Sequence, residues 1–190
     1  MLREQFVELV RDTVLSLPQD MKAVLRIVED PEIDDESRVA AAGALLFTLS
    51  SANAIPGLRG LLAWVDDALV LRLVLERIAK KSPAAMARHL EESPELLQPL
   101  PAQLKTAREY LGELMVVLDR AADDVAKVTH EGHNASQCVH DGESGTWLYD
   151  EVRGAIVEKI DFSEDEVARV AKTVDQIVSQ LKGHVGTRGA

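Results

Sequence analysis

The densest chemistry in the chain lies at residues 130–141, where His130-Glu131-Gly132-His133 is followed by Cys138 and then by His140-Asp141. Three of the five histidines and the only cysteine fall within this stretch, and imidazole with thiolate is the donor set that zinc prefers. His130, His133, Cys138 and His140 are therefore the candidate metal ligands, with zinc the implied ion. Their spacing lacks the paired Cys-x-x-Cys knuckle of zinc modules and misses the His-Glu-x-x-His helix of metalloproteases by one residue. Ordinary polar loop residues, with no cofactor at all, are the competing reading.

A second candidate is the pair Asp66-Asp67. Neighbours on a helix point about 100 degrees apart, so the two carboxylates cannot grip one ion between them unaided. Helical spacing puts Asp67 on the stripe of Ala63, Val70, Leu71, Val74 and Ile78, and Asp66 nearer the side that carries Arg77. A buried carboxylate must find donors. Asp67 is expected to find them in the backbone amides of turn 53–57, so that Ile55, Pro56, Asp66 and Asp67 form a structural turn and cap.

Other catalytic signatures are missing from the sequence. It has no phosphate-binding Gly-rich loop with lysine and no Glu-x-x-His of the di-iron kind, and Gly142-Glu143-Ser144-Gly145 is one residue short of a nucleophile elbow. No catalytic residue is assigned. The acid pairs Asp34-Asp35 and Asp123-Asp124 read as caps or solvated faces, and Asn134-Ala135-Ser136 as a chance match to a glycosylation acceptor. Trp147 and Tyr149, with Tyr110 as a candidate neighbour, are expected to close a core beneath the His/Cys-rich loop, or else to form a binding hot spot.

The elements that must position these groups read as helices almost throughout. Phe6, Leu9, Val10, Thr13, Val14 and Leu17 recur at helical spacing up to Pro18, which is expected to end that helix. Further helices are expected over 20–29, 36–51 and 60–81, the last apolar around most of its circumference and hence central. A short helix reaches Leu90, residues 93–101 with their three prolines connect, and a long helix is expected over 102–128. Residues 129–146 show no helical period and collect glycine, serine and asparagine, so a long loop is expected there. Two helices, over 147–160 and 164–182, follow; Ser163 and Glu166 have the spacing of a capping box, and the tail 183–190 is expected to fray.

The fold class is thus all-α: a multi-helix bundle with a long C-terminal helical hairpin and one long loop. An N-terminal helical domain over 1–92 with a C-terminal helical extension over 93–190, or one continuous domain, are the two organisations open.

Composition narrows the function. The 190 residues carry 21 Lys plus Arg against 32 Asp plus Glu, a formal charge of −11. With no basic block and no Arg/aromatic interleaving, nucleic acid is not an expected partner. The single cysteine and the lack of an apolar leader point to the cytoplasm. The uncharged segment 39–58 is long enough to span a bilayer but rich in alanine and interrupted by Asn53, so a buried core helix is expected rather than a membrane span.

Within residues 30–80 the order of features resembles the YkvA-like domain of unknown function, a small helical bacterial family. The matching residues are Asp30-Pro31, the run Leu45-Leu46-Phe47-Thr48-Leu49-Ser50-Ser51, Ile55-Pro56, and Trp64-Val65-Asp66-Asp67-Ala68-Leu69-Val70-Leu71. Ala52 stands where the family has proline, Asn53 or Ala54 and also Gly57 where it has aspartate, and Ala63 in the glycine place. The resemblance covers about a quarter of the chain. It implies a helical fold and no known activity, with some relatives membrane-associated.

Three functions follow as expectations. The first is a non-enzymatic cytoplasmic interaction protein that uses its acidic surface on a protein partner or on a second copy. The second is a metal-binding sensor or enzyme built on residues 130–141, and the third is a membrane-associated helical protein.

Overall fold

The computed structural model describes residues 1–50 and 52–187. Its first helix, α1 (Leu2–Glu29), runs through Pro18 instead of ending there. An internal proline forfeits one backbone bond and crowds the carbonyl four residues earlier, a cost of about 3 kcal/mol. Continuity keeps Phe6, Leu9, Val10, Val14, Leu17, Met21, Val24 and Val28 on one buried stripe, and that burial outweighs the local penalty.

Helix α2 (Asp35–Leu49) begins at Asp34, whose carboxylate accepts the Ser37 amide at 3.0 Å and the hydroxyls of Ser37 and Ser82 at 2.6 and 2.7 Å. These donors and nearby Lys81 hold the Asp34 carboxyl well below its usual range. Ala41, Ala42, Ala44, Leu45, Leu46 and Phe47 are buried, so α2 is a core helix. No helix among the described residues is long and apolar enough to cross a membrane. Gly43 sits where a Cβ would fall 2.3 Å from the Val125 carbonyl, and α2 and that turn can touch only because it is glycine.

Helix α3 (Ala63–Lys81) packs on α1 and α2 and, further along the chain, on α6 (Leu100–Leu111) and α7 (Met115–Asp124). The short α4 (Pro83–Glu92) and α5 (Pro94–Leu97) each open on a proline at their first helical position. The expected helix over 102–128 is broken: Gly112 takes φ +54, which L residues rarely adopt, and a 3-10 turn Gly112–Leu114 separates α6 from α7.

The expected long loop 129–146 is also corrected. Strands β1 (Thr129–His130) and β2 (His133–Asn134) form a hairpin, followed by α8 (Ala135–His140) and α9 (Gly142–Glu158). Asn134 and Gln137 make a reciprocal capping box, and Asp141 caps α9 through the Ser144 amide at 2.9 Å. At Ser163 the side chain makes no capping bond; α10 (Glu164–Ala171) opens instead on three acids that favour its positive end. Helix α11 (Asp175–Thr187) extends into the tail expected to fray, of which 188–190 lie outside the described residues.

The fold is all-α, a multi-helix bundle. One apolar cluster runs from Phe6 to Leu181, so helices on both sides of residue 92 share it.

Candidate functional site

The hairpin turn is Glu131-Gly132, with φ of +49 and +83. Two consecutive positive φ values match the twist of the flanking strands and allow a two-residue connection. The register pairs His130 with His133, and cross-strand partners share a face. Both rings lie against Trp147 of α9: His133 stacks on the indole at 4.0 Å and 13°, and His130 tilts against it at 6.1 Å. Trp147 thus closes the underside of the hairpin, whereas Tyr149, expected to join it, is 41% exposed. Tyr110 is elsewhere, stacked on Phe6 at 4.2 Å.

The tautomer of His133 follows from its partners. Ser144 donates its hydroxyl proton to Asp141 at 2.7 Å, so its oxygen is left to accept from His133 Nδ1 at 3.1 Å. This Asp141–Ser144–His133 chain fixes the ring against the indole. It is not a nucleophilic triad, because the serine proton points to the carboxylate and the serine is buried.

The four candidate ligands do not converge. Cys138 is buried on α8, and burial together with Asp141 pushes its thiol up to about 11, away from the thiolate that zinc requires. His140 has both ring nitrogens engaged, Nε2 with Asp35 at 2.5 Å and Nδ1 with Ser136 at 3.2 Å. His130 instead meets two carboxylates that sequence reasoning passed over. Its ligand atom and those of Glu131 and Glu151 all lie within 4.8 Å of one another. Glu151 comes one helical turn after Trp147 on α9, a juxtaposition hidden in the sequence because it depends on how the hairpin folds back onto that helix.

The Asp66-Asp67 pair also departs from expectation. Asp66, not Asp67, pins the turn: Ala54 and Ile55 donate their amides to Asp66 Oδ2 at 2.7 and 3.2 Å. Residues 65–75 of α3 are buried all the way round, so the side that carries Asp66 also faces protein rather than water. Asp67 Oδ1 is buried with no hydrogen-bond partner. Burial pushes Asp66 up to about 6, and burial with the neighbouring Asp66 charge pushes Asp67 well above the usual carboxylate range.

A groove with a different character opens between α3, α4, α5 and α6. It encloses about 470 Å³, with Met86, Leu97 and Leu100 as its floor and Pro83, Ala87, Leu90 and Pro101 along its edges. Leu90 is 41% exposed, and Glu76 and Lys80 stand at one side. Comparison with protein-family models, with curated proteins and with solved structures gives no match.

Proposed function

We propose that this chain is a non-enzymatic interaction module that seats an amphipathic helix of a partner protein in the α3–α6 groove. The observation that carries this reading is the groove itself. Exposed Leu90, Ala87, Pro83 and Pro101 border a floor of buried Met86, Leu97 and Leu100, in a concavity wide enough for the apolar face of a helix. Charge narrows the occupant. Glu91, Glu92 and Glu95 are exposed beside Leu90 in the chain, and the whole protein carries −11, so a helix with basic flanks is attracted whereas a second copy is repelled. The single cysteine supports a reducing cytoplasm as the compartment. The likeness of residues 30–80 to the YkvA-like domain stays a proposal, supported by the turn that Asp66 pins at Ile55.

The test is titration of the isotope-labelled protein with a Leu/Lys amphipathic helical peptide, watched at the Met86, Leu90, Leu97 and Leu100 methyls by NMR. Saturable shifts centred on these methyls, abolished by Leu90→Asp in a variant that melts like the parent, are expected. Shifts that scatter over the acidic surface and survive Leu90→Asp would overturn the reading.

A further inference from the structure

We propose that His130, Glu131 and Glu151 form a binding site for a divalent first-row metal ion, at the turn of the β1–β2 hairpin where it lies across α9. The site is independent of the groove and lies at a different place in the fold.

Three observations carry it. The imidazole and the two carboxylates converge, with ligand atoms within 4.8 Å of one another, so modest side-chain rotation brings all three to bonds of about 2.0–2.2 Å around one ion. The carboxylates also lack the basic partner that several other acids of this protein have. Glu76 is answered by Arg108 and Lys80, Asp34 by Lys81, and Asp30 with Glu32 by Arg88. Among the described residues, no lysine or arginine forms an ion pair with Glu131 or Glu151, although the fold brings the two together. Like charges held close are relieved by a cation, and no described lysine or arginine pairs with them here.

Finally, the support is rigid. Trp147 stacks on His133, whose Nδ1 is tied through Ser144 to the cap of α9, and this fixes the hairpin that presents His130 and Glu131. One nitrogen and two carboxylate donors, with His130 and Glu151 half-buried and Glu131 exposed, make a three-ligand set with positions open to water. That set suits zinc, manganese or ferrous iron better than copper(I), which favours sulfur.

Trp147 gives the site its own signal. With Trp64→Phe, it becomes the only tryptophan, and its indole lies 6.1 Å from the His130 ring. Titration of this variant with zinc should give a saturable change in Trp147 emission and about one equivalent of bound ion by calorimetry. Nickel at the same site should quench that emission. Glu151→Gln should weaken zinc at least about tenfold, the loss that removal of even an outer-shell partner produces, while its metal-free melting stays that of the parent. Cys138→Ser and His140→Ala should leave the titration unchanged. Zinc binding that ignores Glu151→Gln, disappears with His140→Ala, or never saturates would overturn the proposal.

Discussion

Asp66 with Asp67 and Glu131 with Glu151 are two pairs of neighbouring carboxylates that resolve their repulsion in opposite ways. Asp66 and Asp67 are buried on α3, where solvent cannot screen them. Asp66 takes two backbone amides, and both groups are pushed toward their protonated forms. Glu131 and Glu151 meet at the rim of the hairpin, Glu131 exposed and Glu151 half-buried, where water and ions reach them. Burial turns a pair of acids into a structural device that consumes protons; partial exposure leaves a pair that can take a cation. A third buried carboxylate, Asp20, shows the remaining solution. It is 1% exposed and receives Arg72 at 2.8 Å and the Ser16 hydroxyl at 2.8 Å, while Arg72 also donates to Gln103 and to the Ala68 carbonyl.

The largest effect should come from breaking that third solution. Arg72→Ala strands the Asp20 carboxylate without its cation and should cost about 3–5 kcal/mol, enough to unfold a marginal domain. Replacing both partners, as Arg72→Met with Asp20→Leu, should recover most of the loss, because a buried ion pair contributes little beyond what apolar packing supplies. Chemical denaturation of the three proteins decides it. A double variant as unstable as Arg72→Ala alone would show that the network matters for more than charge compensation.

The next effect sharpens the contrast through pH. The folded state holds the Asp66 proton up to about pH 6, whereas the unfolded chain releases it near its ordinary value. The stability this contributes is therefore intact below about pH 4 and fades as pH rises through about 6, and at pH 8 roughly 3 kcal/mol has been lost. Asp67 acts in the same direction, with burial and the Asp66 charge as causes. Asp67→Asn should thus gain stability over the parent progressively as pH rises above the ordinary carboxylate value of about 4. Melting temperatures of both proteins over that rise provide the check. A difference that stays constant with pH would mean that Asp67 is ionised and paired in solution.

How far the sequence revealed all this depends on the period of the signal. Helical spacing exposed the all-α bundle, the core role of α2 and the central place of α3, because each rests on many apolar residues that agree. It misled at single residues. Pro18 broke the pattern locally, yet thirteen buried side chains along α1 overrode it. Gly112 looked harmless inside a long apolar stripe, and its positive φ ends α6. The loop 129–146 lacked periodicity because α8 has only six residues and α9 opens on Gly142-Glu143-Ser144-Gly145; its caps Asn134 and Asp141 were the available signal. His130 was legible as a candidate ligand, whereas Glu151 was not, since 20 residues of chain lie between them and only the hairpin against Trp147 brings them together. Asp66 and Asp67 were both legible, but the turn amides go to Asp66 instead of Asp67, because α3 is buried on all sides and an apolar stripe cannot tell which of two adjacent carboxylates meets the turn.

The smallest effect tests whether the open pair carries a cost of its own. Glu131 sits at φ +49, a conformation that strains a side chain without a compensating contact, and it faces the Glu151 charge. Glu131→Asn relieves both, since asparagine tolerates the left-handed region, and should stabilise the metal-free protein by roughly 0.5–1 kcal/mol. Glu131→Gln removes the charge but keeps the strain. A gain in Asn alone assigns the cost to the backbone, while equal gains in both assign it to repulsion between carboxylates. Either result, joined to weaker zinc binding, identifies Glu131 as a residue whose fitness lies in what it holds. Loss of stability in both variants would instead make Glu131 a structural turn residue like Asp66, and the contrast between the buried and the open pair would collapse.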